Sequence, residues 1–322
     1  MALIKKSGSF RLAGILSAFV LTVFLGAPGL AAAPTKERGS LPDKNTQHMT
    51  YEVFAGGINA VSAGLDVTYE SKTRYRMTLS AETKGLLGSL VPWRGTFETI
   101  GWRGKNGHEM PEMHKSTARG RGDDDVETKE YKYTKEGHFS GLTVKEAGRD
   151  KSPGKIDDKL TQGTTDALTA TLAIMNKVAG GAPCEGSSEV FDGMRRFSLI
   201  FKQQGEERLE TTRYNSFEGP ALRCEVEVRP VAGAWHEKPR GWMSIQEQGR
   251  ELGSLPVIWL ARIDKNGPAV PVKMRVKTDY GTLFVHLVNY QSADKDGKLA
   301  TRSASVALAD NAQPALAGTT LP

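Results

Sequence analysis

Apolar and polar residues alternate at a period of two along most of this chain, the signature of β-strands with one buried face. In "TRYRMTLSAET", Tyr75, Met77 and Leu79 fall on one face and Arg74, Arg76 and Thr78 on the other. "MTYEVFAGGINAVSAGLDVTYE" reads as two strands around the turn or bulge at Gly56-Gly57. "RGTFETIGWRG" continues the alternation. "HEMPEMHKSTARG" and "DVETKEYKYTKEG" flank a polar tip and predict a hairpin. After residue 181 the pattern returns in "SEVFDGMRRFSLIFKQQ", "ERLETTRYNS", "ALRCEVEVRPVA", "VIWLARID", "VPVKMRVKTDYG" and "TLFVHLVNYQSA". "KGLLGSLVPW" interrupts it with a short helical turn.

One segment changes period. "TTDALTATLAIMNKVAGG" places Leu168, Leu172 and Met175 at helical spacing, with Thr165 or Asp166 as cap and Gly180-Gly181 as stop. The prediction is about ten to fourteen short antiparallel strands and one helix. A sheet of that size curls to hide its edges. The fold class expected is therefore mainly β, a large curved or barrel-like antiparallel sheet with one packed helix. The charged run "KEAGRDKSPGKIDDKLTQG" at 145–163 reads as a surface loop within a single domain spanning 48–291.

The N-terminus sets the compartment. Lys5, Lys6 and Arg11 precede the uncharged apolar run Leu12–Leu30, and Gly29 and Ala31 supply the small residues of a cleavage site. This layout predicts a bacterial signal peptide over 1–31, cut near Ala31, and a periplasmic product. No cysteine follows the run, which excludes a lipoprotein anchor. Residues 32–47 read as a flexible leader and 292–322 as a flexible tail. Removing the signal lowers the net charge from +6 to +3, since it carries three cations and no acid. That balance does not point to nucleic acid. After cleavage no stretch is apolar enough to span a membrane.

Candidate chemistry is sparse. Cys184 and Cys224 are the only cysteines. An even count in an exported chain predicts a disulfide, and C-x-x-C redox spacing is absent. "HEMPEMH" gathers His108, Met110, Met113 and His114, imidazoles and thioethers that suit Cu(I) and define a copper-carrier alternative. Asp157-Asp158 and Glu206-Glu207 are paired carboxylates in polar turns; a glycan-acting enzyme needs two carboxylates brought together by the fold. No nucleophile elbow, zinc-protease motif or phosphate loop occurs. No cofactor is implied. Trp93, Phe97, Trp102, Trp259 and Phe284 lie in or beside strands and suggest an apolar ligand surface on the concave side.

The succession "YEVFAGGINAVSAGLDV", "AETKGLLGSLVPWRGTFET", "TDALTATLAIM", "CEGSSEVFDGMRRFSLIF", "YNSFEGPALRCEVEVRPVAG" and "VPVKMRVKTDYGTLFVHL" resembles an exported proteobacterial family, domain of unknown function number 3108. The likeness covers about residues 49–291 and rests on the order of glycines, aromatics and strand signals. It implies a predominantly β protein of the cell envelope and brings no catalytic residues. The layout is also similar in class to alphaproteobacterial periplasmic proteins with spiral β-sheets linked to envelope integrity. The function expected is non-enzymatic: support of the envelope by binding a lipid, a glycan or an envelope protein on the curved sheet.

Overall fold

The computed structural model describes residues 45–104, 107–122, 125–235, 242–264, 267–278, 281–293 and 299–303. The signal peptide read at 1–31, most of the leader and the tail beyond Ser303 lie outside them. In chain order the elements are β1 (Thr46–Ala55), β2 (Ile58–Tyr69), β3 (Arg74–Thr83), α1 (Gly85–Leu90), β4 (Arg94–Arg103), β5 (Glu109–Arg119), β6 (Val126–Tyr133), β7 (Phe139–Glu146) and β8 (Arg149–Asp150). There follow α2 (Asp158–Thr161), α3 (Ala167–Ala179), β9 (Gly186–Phe191), β10 (Arg195–Leu209), β11 (Gly219–Gly233), α4 (Trp242–Glu251), β12 (Val257–Ala261), β13 (Val270–Thr278), β14 (Gly281–Ala293) and β15 (Leu299–Ser303).

All fifteen strands belong to one sheet, ordered β8-β7-β6-β5-β4-β3-β2-β1-β14-β13-β12-β11-β10-β9, with β15 added on β14. The paired strands run antiparallel. Meandering hairpins build each half, and the pairing of β1 with β14 joins the two halves. The sheet does not close: no ladder joins β8 to β9.

Side chains close the gap instead. Phe191 of β9 packs on Tyr131 of β6 and Phe139 of β7, with ring centroids 6.2 and 5.4 Å apart. An isolated parallel bridge, Thr165 to Val190, lies beside this seam.

Helix α3 explains the curl. Its buried residues, Leu168, Thr169, Ala170, Leu172, Ile174 and Met175, extend well beyond one stripe. A helix with an arc that wide must be surrounded rather than laid on a flat surface. Strands of both halves reach it: Tyr69 of β2 and Glu109 of β5 bond Asn176, and Tyr75 of β3 meets Thr169. From the other half, Ala269 donates to the Met175 carbonyl and the Cys184–Cys224 bridge ties the segment after α3 to β11. The inner faces of the sheet and α3 form a large apolar core, and Tyr131, Tyr133 and Phe191 form a second, smaller cluster at the seam.

Several elements differ from expectation. "SEVFDGMRRFSLIFKQQ" is divided at the Gly193 turn into the hairpin of β9 and β10. Asp192 accepts from the Met194 and Arg195 amides, and Gly193 takes φ +94°, which turns the chain. "ERLETTRYNS" is not a separate strand: β10 runs to Leu209, and the Thr212 hydroxyl then accepts from the Tyr214 and Asn215 amides, diverting the backbone into a loop. The charged run at 145–163 contains β8 and α2, the latter capped by Asp157.

The expectation of a single helix missed α4, which is polar on average and held by one buried side chain. Gln246 accepts from the Val228 amide and donates to the Val228 carbonyl, occupying the edge of β11 beyond the short β12. At the ends, β1 starts inside the expected leader and β14 and β15 extend into the expected tail. Backbone pairing with a long neighbour holds these polar segments without an apolar pattern.

Candidate functional site

Two polar clusters stand out, one inside the sheet and one outside. The inner cluster starts from Asp166, the N-cap of α3. Its Oδ1 accepts from the Leu168 and Thr169 amides and from the Thr99 hydroxyl at 2.8 Å, and its Oδ2 accepts from the Thr169 hydroxyl at 2.6 Å. With the Thr99 hydrogen committed to Asp166, the His114 Nδ1–H donates to the Thr99 oxygen at 2.7 Å. Burial holds the His114 imidazole below its ordinary range, with Asp166 opposing.

A hydroxyl, an imidazole and a carboxylate thus sit together, but the hydroxyl points at the carboxylate and supplies no nucleophile. His114, Thr99 and Asp166 are 4%, 0% and 2% exposed, so they pin the start of α3 to β4 and β5. Asp166→Ala removes the cap of the Leu168 and Thr169 amides and the acceptor of the buried Thr99 and Thr169 hydroxyls. It should cost about 3 kcal/mol, read as a lower midpoint in urea unfolding.

The outer cluster is set by sheet register. On β13, Lys273 and Arg275 alternate with the buried Val272, Met274 and Val276, and so face away from the core. Cross-strand pairing carries that face sideways. Arg223, Trp259, Lys273, His286 and Glu52 lie opposite one another in one row across β11, β12, β13, β14 and β1. The adjacent row holds Glu225, Val257, Arg275, Phe284 and Phe54.

Two layers form within this patch. Trp259 lies at its floor, 2% exposed, with the Lys273 ammonium 4.7 Å and the Arg275 guanidinium 5.7 Å from its ring centroid. Its indole N–H donates to Glu207 at 2.9 Å. Beside it four rings gather. His286 is stacked between Phe284 and Tyr214, at 5.6 and 6.0 Å, and Phe54 meets Tyr214 edge-on at 4.8 Å. Tyr214 comes from the loop between β10 and β11, which Ser216 fastens to the Leu287 carbonyl of β14. Arg213 of that loop lies 4.5 Å over the Tyr214 ring.

The charges of this patch are not neutralised. Among the described residues, Arg213, Arg223, Lys273 and Arg275 form no ion pair, whereas Arg74, Arg76, Arg94, Arg195, Arg196 and Arg250 each hold a carboxylate. The Nε atoms of Arg223 and Arg275 and the Nδ1 of His286 are buried and meet no hydrogen-bond partner. Each such group costs about 1–3 kcal/mol unless an acceptor or donor arrives.

Burial, assisted by Lys273, pushes the His286 imidazole down to about 4. A depressed histidine is protonated first in the unfolded chain. His286 therefore contributes stability above about pH 6.5 that is lost as the pH falls towards 4, and the lowered His114 acts in the same direction. His48, raised by its hydrogen bond to Asp66, works in the opposite sense, contributing at low pH. The stability–pH curve should fall on the acid side, and His286→Gln should flatten that limb.

The residues singled out from sequence are scattered. On the concave side, where the apolar ligand surface was expected, α3 packs within the apolar core. Phe97 is in the core and Trp93 packs against it. Trp102 lies under Arg74, at 4.2 Å, while Trp259 and Phe284 belong to the outer patch. Met113 and His114 are strand neighbours on opposite faces, His114 buried inward, and His108 is exposed ahead of β5. The four do not form one ligand set. Asp157 caps α2, Asp158 and Glu206 are exposed, and Glu207 holds Trp259, so neither carboxylate pair faces a shared cleft. The bridge between Cys184 and Cys224 is present, with Cα atoms 6.1 Å apart. The cations of the patch gave no sequence signal, because they are spread over two strands and a loop.

The class defined by this architecture is a β-barrel-like protein: an open antiparallel sheet curled around a helix, with a cation-and-ring patch on its outer face. The chain belongs to the family described as protein of unknown function DUF3108, which matches residues 49–288. No curated protein matches it. Among solved structures, it is similar to a β-barrel-like protein of domain of unknown function DUF1849 from Brucella abortus, at 9% identity and a TM-score of 0.44, covering 77% of this chain and 98% of the other. Among the described residues no helix is long and apolar enough to cross a membrane.

Proposed function

We propose that this protein is a non-enzymatic component of the periplasm that supports the cell envelope by binding an anionic envelope constituent on the outer face of its curved sheet. The signal-like N-terminus supports export. One observation carries the binding reading: three cations without carboxylate partners are set by register, and a fourth, Arg213, by a loop, beside a group of half-buried rings. Arg74, Arg76, Arg94, Arg195, Arg196 and Arg250 each hold a carboxylate within the chain, whereas the guanidinium groups of the patch are left able to meet an external acceptor. With α3 packed against the inner face, the reading places binding on the convex face.

Genetic complementation tests this. A deletion strain should be sensitised to detergent and to cell-wall antibiotics, and the wild-type gene should restore resistance. An Arg223→Ala/Arg275→Ala double variant, present in the periplasm at the wild-type level, should not. Full rescue by that variant, or a deletion without phenotype, refutes the reading.

A further inference from the structure

We infer that the ligand of the outer patch is an acidic saccharide chain, whose carboxylate or phosphate groups meet Arg223, Lys273 and Arg275 while its sugar faces rest on Phe54, Tyr214 and Phe284. This rests on the binding reading above and names the chemistry of that site.

The first argument is spacing. Arg223 and Lys273 sit in one row with the Trp259 strand between them, so their Cα atoms are about 10 Å apart. Arg275 follows Lys273 two residues along the same strand, about 7 Å away. An extended chain carrying an acid group at intervals fits such a row, where a single small anion would engage one cation and leave the others unmet. The exposed Arg213 adds a further positive group at the ring end of the patch.

The second argument is the mixture of groups. Guanidinium N–H donors recognise the two oxygens of a carboxylate or phosphate. Aromatic faces carry negative charge density, and the C–H bonds on the flat side of a sugar ring carry the complementary positive density. Trp259 is too deeply buried to stack on a ligand; it carries Lys273 and Arg275 from below and leaves their outer sides free. The half-buried Phe54, Tyr214 and Phe284 can offer ring surface.

A lipid bilayer fits less well. The large apolar side chains that do protrude, Ile58, Leu86, Met194, Val231 and Leu252, are in neither row, and the rings of the patch are held against one another rather than projecting. An acidic protein segment would satisfy the cations but make no particular use of the ring surface.

Titration calorimetry on the mature protein separates these cases. The probes are oligogalacturonate, a neutral maltooligosaccharide of similar length, polyglutamate, inorganic phosphate, and vesicles of equal parts phosphatidylglycerol and phosphatidylethanolamine. The expected result is that oligogalacturonate binds, weakens as salt rises, and outcompetes the other four. Arg223→Ala and Arg275→Ala should each weaken it at least about tenfold. Tyr214→Ala should weaken it with the salt dependence unchanged, a readout that a loss of charge cannot mimic. Should Arg275→Ala fail to fold, the exposed Arg213→Ala replaces it.

Polyglutamate binding equally well, indifferent to Tyr214→Ala, overturns the inference in favour of a protein partner. Preferential binding of vesicles overturns it in favour of a membrane. If none of the probes binds but a bacterial envelope extract raises the melting temperature of wild type and not of Arg223→Ala/Arg275→Ala, the saccharide class is wrong and the binding reading survives. If the extract has no effect either, both fail.

Discussion

Leu172→Asp is expected to yield no folded protein. Leu172 is 0% exposed at the middle of α3, and strands of both sheet halves surround that helix. A carboxylate there has no partner and no water, and the apolar contacts of the leucine are lost as well. Leu172→Ala, which leaves only a cavity, should cost about 2–5 kcal/mol and still fold. Against a typical total of about 5–15 kcal/mol, the uncompensated charge is the larger loss. Far-ultraviolet circular dichroism and export yield of the two variants give the comparison. A soluble Leu172→Asp protein melting at the wild-type temperature would mean that α3 does not occupy the centre of the sheet.

The second large effect concerns the Cys184–Cys224 bridge. It closes a separation of 40 residues and joins the segment leaving α3 to the middle of β11. In the chain-entropy account a loop of this size contributes about 4 kcal/mol by restricting the unfolded chain. The native state adds to this, because the Cys184 amide donates to the Gln203 side chain of β10, so bridge and hydrogen bond hold the same junction. Cys184→Ser should lower the melting temperature by roughly 8–16 °C. Intact protein under non-reducing conditions should weigh two hydrogens less than the dithiol. Alkylation of both thiols without a reductant would remove the bridge from the account.

Both effects arise from groups with a strong local sequence signal. Leucine at helical spacing between a capping aspartate and a glycine pair identifies α3, and the even cysteine count identifies the bridge. The patch on the outer face has no such signal. Lys273 and Arg275 read as ordinary solvent-side residues of an alternating strand, and Arg223 as the same on another. Trp259 and Phe284 read as generic aromatics. Nothing local says that Lys273 stands over Trp259, or that Tyr214, from a loop, stacks on His286 of a strand more than seventy residues later.

Local chemistry thus determined the strand count to within a few, the helix α3 and the cysteine pairing, because period, caps, turns and cysteine parity act over a few residues or do not depend on position. Tertiary structure alone decided that α3 packs against the inner face, and that Phe97 joins the core while Trp259 and Phe284 lie in the outer patch. It also separated His114 from Met113 across the sheet and sent Asp166 to Thr99 and His114. The physical reason is register. Strands that are distant in sequence become neighbours 4.7–4.9 Å apart only when the whole sheet has paired. A row such as Arg223, Trp259, Lys273, His286 and Glu52 exists only once five strands from both ends of the chain lie side by side.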